Sequence, residues 1–172
     1  MTTIDDSWDD DHPLDCRELD DGELDDEYAE VLELPRAPLP RPGAVLASED
    51  EVHRHLLALV GPECDGPRSL WILLLDATHR VQPLVIPLDD LPVMPDEQLV
   101  SNLATMLRSL LEGHLPGGSV AFGLVRSAGG DRGASEGRWS RALRAAMSST
   151  EVPVRAVVAI GRDRSRVLPV DA

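Results

Sequence analysis

Lysine is absent from this 172-residue chain, and all 16 of its basic residues are arginine. Aromatic side chains make up only 3% of it, and there are two cysteines, Cys16 and Cys64. No apolar run approaches the roughly 18 residues that cross a bilayer. Each scarcity removes a class of protein. Two cysteines make neither a disulfide framework nor a zinc site. Without lysine, and with few aromatic platforms among the arginines, a stacking nucleic-acid surface is poorly supplied. The acidic start lacks the basic-then-apolar order of a secretory signal. The expectation is a soluble, cytoplasmic protein with an aliphatic core and no membrane partner. GC-rich codon usage accounts for the arginine bias without a functional demand for guanidinium.

What is abundant is acid, and it is unevenly placed. Residues 1–34 hold fifteen of the 31 acidic residues and a single base, Arg17, while the remaining 138 residues are nearly neutral, with 16 acids against 15 arginines. Like charges at that density extend a chain and oppose burial, so residues 1–34 read as an acidic, mostly disordered tail. Leu24, Tyr28, Val31 and Leu32 share one face of a short helix only if something docks against them. Residues 35–46 open with a proline-rich stretch, PRAPLPRPG, and read as a semi-extended linker. The folded domain is expected over residues 47–172.

Within it, Ser48 and Glu51 have the spacing of a capping box and start a helix that Gly61 and Pro62 end near Val60. Its apolar stripe is Val52, Leu56, Leu59 and Val60. Residues 69–76 (SLWILLLD) are continuously apolar and too short for a span, the pattern of a buried strand. A turn at residues 77–80 leads to a second strand, 81–88, where Pro83 and Pro87 mark bulges or strand ends. A helix over residues 96–113 carries Leu99, Leu103, Met106, Leu107, Leu110 and Leu111 on one face. A third strand at 119–125 precedes a glycine-rich loop, 126–134. Ser135 then stands where a cap opens a helix with Trp139, Leu143 and Met147 on its inner face. Strands at 152–160 and 166–170 close the order α-β-β-α-β-α-β-β.

That order, with an apolar strand ending in Leu75-Asp76, a hairpin, a hydrophobic helix, the Gly130-Asp131 pair and Ser135, resembles the JAB/MPN metalloprotease-like fold, most closely its RadC-type branch. The resemblance covers residues 47–171. It implies an α/β (α+β) class with a cytidine-deaminase-like, three-layer mixed sheet and flanking helices. The family places His-x-His-Pro-x-Gly-Asp after the third strand, a metal-binding Asp on the next helix, and a catalytic Glu before the first strand. Here the two histidine positions hold Val125 and Ser127, the Asp position holds Arg138, and the Glu falls near Arg68. Zinc hydrolysis needs neutral imidazoles, a carboxylate, an open water position and a general base. Valine has no donor and arginine repels a dication. The resemblance therefore implies a pseudoenzyme with no catalytic residue, no metal and no cofactor.

Other candidates are weaker. His53 and His55 are two apart on a helix and point to different faces. His79 and His114 read as solvated or dipole-favoured residues, and Ser127 lies outside any nucleophile elbow. If the resemblance holds, Arg68, Arg126 and Arg138 gather beside the Ser135 helix start, with Arg132 on the loop above. Gly129, Gly130 and Gly133 there permit close backbone approach. Together these residues make an anion-attracting cleft for an acidic peptide, a phosphate or the chain's own tail; the alternative is that the arginines pair with Asp131 and Glu136. The leading function is a non-catalytic protein-interaction module of unidentified partner and oligomeric state. A nucleic-acid-associated or DNA-mimicking RadC-like protein ranks second, resting on Arg141, Arg144, Arg155, Arg162, Arg164 and Arg166. A divergent hydrolase ranks third. Deleting residues 1–34 is expected to leave the domain folded with its melting temperature shifted only slightly, as a thermal melt of the truncated chain would record; a large loss of stability would place Trp8, Tyr28 or the tail leucines in the core.

Overall fold

The computed structural model describes residues 41–130 and 133–170, all within one compact unit, Arg36–Ala172. The acidic tail, residues 35–40 of the linker, and Asp131 and Arg132 lie outside the described residues. The architecture is mixed α+β. Strands β1 (Ser69–Leu75), β2 (Val81–Leu88), β3 (Ser119–Val125), β4 (Val154–Ile160) and β5 (Ser165–Leu168) form one sheet in the order β2-β1-β3-β4-β5. All neighbouring pairs are antiparallel except β3 with β4. Helices α1 (Glu49–Val60), α2 (Glu97–His114) and α3 (Ala134–Ser149) complete the described elements, with a short 3-10 helix at Gly61–Asp65.

The helices divide between the two faces of the sheet, because each strand alternates its side chains. Leu70, Ile72, Leu74, Val120, Phe122 and Leu124 pack with α2 and α3. Leu73, Leu75, Ala121, Val125, Ala156 and Val158 pack with Val52, Leu56 and Val60 of α1. Strand β3 is buried along its whole length. A strand buried on both faces reads as a continuous apolar run, as β1 and β3 do.

Local chemistry starts the helices as their sequences predict, with one exception. Ser48 accepts from the Glu51 amide while the Glu51 carboxylate accepts from the amides of Ala47 and Ser48, a complete capping box. Those bonds, from Ser48 foremost, hold the Glu51 carboxyl below the usual carboxylate range. Asp96 caps α2 by accepting from the Leu99 amide. At α3 the expected Ser135 cap is overturned: Gly133 is the cap residue and makes no side-chain bond, and Ser135 sits inside the first turn. The buried stripe of α2 is also rotated from the expected one. Val100, Leu103, Ala104, Leu107 and Leu111 face the core, whereas Leu99 and Met106 are 36% and 43% exposed. The small Ala104 sits in the stripe that faces the sheet and α3, and the larger Leu99 and Met106 flank it.

Pro83 and Pro87 lie on β2, an edge strand, where a missing N–H costs no ladder bond. The register shift pairs Leu73 and Leu75 of β1 with Val85 and Val81 of β2, so the extra residues of β2 bracket Pro83, where the sequence suggests a bulge. Residues 43–46 run beside the start of β2. The Gly43 amide donates to Val81, the Val81 amide to Ala44 and the Leu46 amide to His79, and Leu46 is buried. At the other end of the chain, β4 starts at Val154 rather than Val152, because the Val152 amide closes the end of α3 on the Met147 carbonyl.

Two histidines of α1 have separate fates, as their spacing predicts. The His53 Nε2 lies 2.7 Å from the Ser165 hydroxyl on β5. His55 is buried at 9% exposure, and that burial holds its imidazole below the ordinary value of 6.5. An unfolded chain then takes up a proton near pH 6.5 that the native state refuses until lower pH. Stability from this group is complete above about pH 6.5 and is lost as pH falls through the native value. A His55→Leu variant is expected to lose less melting temperature than the wild type between about pH 7.5 and pH 5.5. An unchanged acid slope in the variant would assign the titration to another group.

Candidate functional site

The parallel pairing of β3 and β4 brings three segments together at the C-terminal end of β3. The Arg126 amide donates to the Ile160 carbonyl at the end of β4, and the Arg162 amide donates to the Ser127 carbonyl. The β3–α3 loop thus crosses directly over the β4–β5 turn. A Cβ on Gly130, whose φ is +88°, would lie 1.8 Å from the Arg164 carbonyl oxygen, and one on Gly161 would lie 2.2 Å from the Gly129 oxygen. Glycine is required at both positions by the chain's own crossing. The close approach expected at Gly129 and Gly130 is real, but what approaches is residues 161–164.

From that crossing the chain reaches α3, whose first turn is tied down in three places. The Ser135 hydroxyl donates to the Val93 carbonyl at 3.1 Å, and the Trp139 indole donates to the Pro92 carbonyl at 3.2 Å. Arg138 Nη1 contacts the Met94 sulfur at 3.1 Å. Residues 91–94 therefore form a strap across the start of α3, a feature with no periodicity or composition to reveal it in the sequence.

Two arginines meet this turn from the sheet side. Arg68, just before β1, donates from Nη1 to the Ser135 hydroxyl at 2.7 Å. Arg126 donates from Nε and Nη2 to a single oxygen of Glu136, Oε1, at 2.9 and 2.5 Å. Glu136 is 4% exposed, and its other oxygen, Oε2, is buried without a hydrogen-bond partner among the described residues. Glu136 also sits in the first turn, where the helix dipole favours a carboxylate. Arg68, Arg126, Ser135 and Glu136, with the apolar Leu91, Leu124, Val125 and Trp139, border a pocket of about 10 Å³, room for one water-sized atom.

Of the expected cleft residues, the structure brings together Arg68, Arg126 and Ser135. Arg138 is exposed and turned to Met94 rather than into the pocket, and Arg132 lies outside the described residues. Arg126 is paired with Glu136, as the alternative reading had it. At the positions implied for metal ligands, Val125 is 1% exposed, packs in the α1-side core and has no donor atom on its side chain. No cluster of three His, Cys, Asp or Glu side chains suited to a metal exists among the described residues. The donor set at these positions does not fit zinc.

The arginines offered for nucleic acid are partly engaged within the fold. Arg144 donates to the Leu168 carbonyl, Arg155 to the Ala47 carbonyl and Arg162 to Asp65. Burial also lowers the Arg144 guanidinium from its ordinary value. A second groove of about 400 Å³ opens at the opposite end of β3, lined by Arg108, Glu112 and Glu151, with Arg108 and Glu112 forming an exposed pair. No helix is long and apolar enough to cross a membrane among the described residues. No protein-family model, curated protein or solved structure matches the chain.

Removing either partner of the Arg126–Glu136 pair leaves an unlike remainder. Arg126→Met strands a carboxylate that is 4% exposed, whereas Glu136→Leu strands a guanidinium whose side chain is 31% exposed. Breaking a buried pair costs about 3 kcal/mol or more when the remaining charge stays buried, and less when it reaches water. Urea unfolding is expected to rank Arg126→Met as the more damaging change, with the double variant recovering much of the loss. The opposite ranking would show that the pair is held by solvent rather than by burial.

Proposed function

We propose that residues 47–170 form a JAB/MPN-like domain of RadC type that no longer holds a metal and serves as a non-catalytic protein-interaction module. The observation that carries this reading is the chemistry of the four implied ligand and base positions. A buried valine, a serine and two arginines stand there, and Arg126 and Glu136 close on each other in the same place. A pocket with room for one water-sized atom and lined by self-paired side chains leaves no position for a peptide bond and its attacking water. The layered arrangement, with α1 on one face and α2 and α3 on the other, is compatible with the proposed fold.

Protein binding is supported by the surface beside that pocket. Val93 and Met94 are 63% and 51% exposed on the strap, and Arg138 lies against Met94. Exposed aliphatic and thioether side chains next to an arginine have the composition of an interface core. The partner class is a protein with a complementary apolar patch and an acidic rim.

Elemental analysis of the chain after dialysis against zinc is expected to find far less than one ion per molecule. About one zinc per chain, lost on substituting Ser135 or Glu136, would overturn the pseudoenzyme reading. Proteins retained by the immobilised chain are expected to be lost from a folded Val93→Asp, Met94→Asp variant. Retention unchanged by those substitutions would remove the strap from the interface.

A further inference from the structure

We propose that Met94, on the strap across α3, is a reversible oxidation site for hydrogen peroxide, and that Arg138 fixes which sulfoxide epimer forms. Of the four methionines, Met147 is fully buried, Met1 lies outside the described residues, and Met94 and Met106 are 51% and 43% exposed. Exposure alone gives those two an equal claim. What separates them is the setting of the sulfur. The carbonyls of Pro92 and Val93 accept from Trp139 and Ser135, and Asp96 caps α2 just beyond Met94. The backbone that carries Met94 is thus held on both sides. Its side chain is held as well, since Arg138 Nη1 lies 3.1 Å from the sulfur. Met106 stands on the exposed flank of α2 and makes no such contact among the described residues.

A thioether sulfur has two lone pairs, and either can attack a peroxide oxygen. The attack forms the S–O bond and breaks the O–O bond. The departing hydroxide takes the proton of the transferred oxygen and leaves as water. Sulfur is oxidised by two electrons and the peroxide is reduced by two, so no further co-reactant is needed. The product sulfur is a stereocentre, and the two lone pairs lead to opposite epimers. At Met94 the Arg138 N–H engages one lone pair, which lowers its nucleophilicity and obstructs approach from that side. The other stays free to react. At Met106 both are free, so both epimers form. The added oxygen turns an apolar thioether into a polar group, which breaks the exposed apolar pair of Val93 and Met94. Sulfoxide reductases each act on one epimer, so a single-epimer product is restored by one enzyme alone. The inference concerns the chain without a partner and stands or falls separately from protein binding.

Oxidation of the folded, full chain with millimolar hydrogen peroxide at neutral pH tests it. Cleavage before aspartate then separates the two sites, because Asp96 lies between Met94 and Met106. Each peptide is treated with a reductase specific for one epimer or the other, and the sulfoxide that remains is read by mass spectrometry. At Met94 one epimer is expected to exceed the other by at least about threefold, the scale of one weak hydrogen bond. At Met106 the two are expected in nearly equal amounts. Arg138→Ala is expected to bring Met94 close to equality, and so is oxidation of the wild type in urea, a control that holds even if the variant fails to fold. Equal epimers at Met94 in the folded wild type, a bias that survives in folded Arg138→Ala or in urea, or no oxidation of Met94 would each overturn the proposal.

Discussion

Residues Val120 to Val125 run beside Val154 to Ile160 in the same direction, and a chain paired in that way must leave the sheet at one end and re-enter it at the other. Helix α3 is that return path. Its position follows from the pairing: it must start near the end of β3 and finish near the start of β4. The crossing of the β3–α3 loop over the β4–β5 turn is a second consequence, because both segments emerge from the same end of the same two strands. Glycine at 130 and 161 is what allows them to touch. The pocket, the Arg126–Glu136 pair and the strap across α3 all occupy the place where this one parallel ladder ends.

Features encoded within a few residues were legible in the sequence. The Ser48–Glu51 capping box specifies the start of α1 by contacts three residues apart, and the apolar runs of β1 and β3 announce burial on two faces. Features set by distant neighbours were not. The inner face of α2 turns on Val100 and Ala104, a choice made by the surfaces it packs against, which periodicity over leucines alone cannot supply. Gly129, Gly130 and Gly161 are visible as glycines, but nothing in the string says which backbone comes close. Ser135 has the composition of a cap and a different task, because Arg68 and Val93, 67 and 42 residues away, claim its hydroxyl. The strap itself, Leu91–Pro92–Val93–Met94, reads as an ordinary proline loop until α3 is placed beneath it.

The two edges of the sheet are treated differently. On β2, residues 43–46 cover the first positions, and beyond them Pro83 and Pro87 share one parity of the strand. Proline can stand only where its absent N–H would have faced away from the ladder, so both positions present outward backbone with no donor. That edge is a poor template for another strand. On β5 the edge is only four residues long, and Arg144 takes the Leu168 carbonyl. Association through added strands is therefore disfavoured at both ends, which shifts any protein contact to side-chain surfaces such as the strap.

The charges at the end of β3 follow an order of necessity. A helix start placed at the rim of a dry core carries a positive end, and a carboxylate in the first turn is the least costly way to offset it. Once Glu136 is buried there, it requires a cation, and Arg126 is the side chain that leaves β3 at that point. Arg126 answers only one oxygen. Among the described residues, Arg68 is committed to a hydroxyl rather than to a carboxylate, and the second oxygen of Glu136 is buried without a partner. A neutral pair would have sealed this end of the fold more cheaply. The asymmetry that remains, a cation at the rim and a half-satisfied carboxylate inside, is the polar cost of ending a parallel ladder at a helix start.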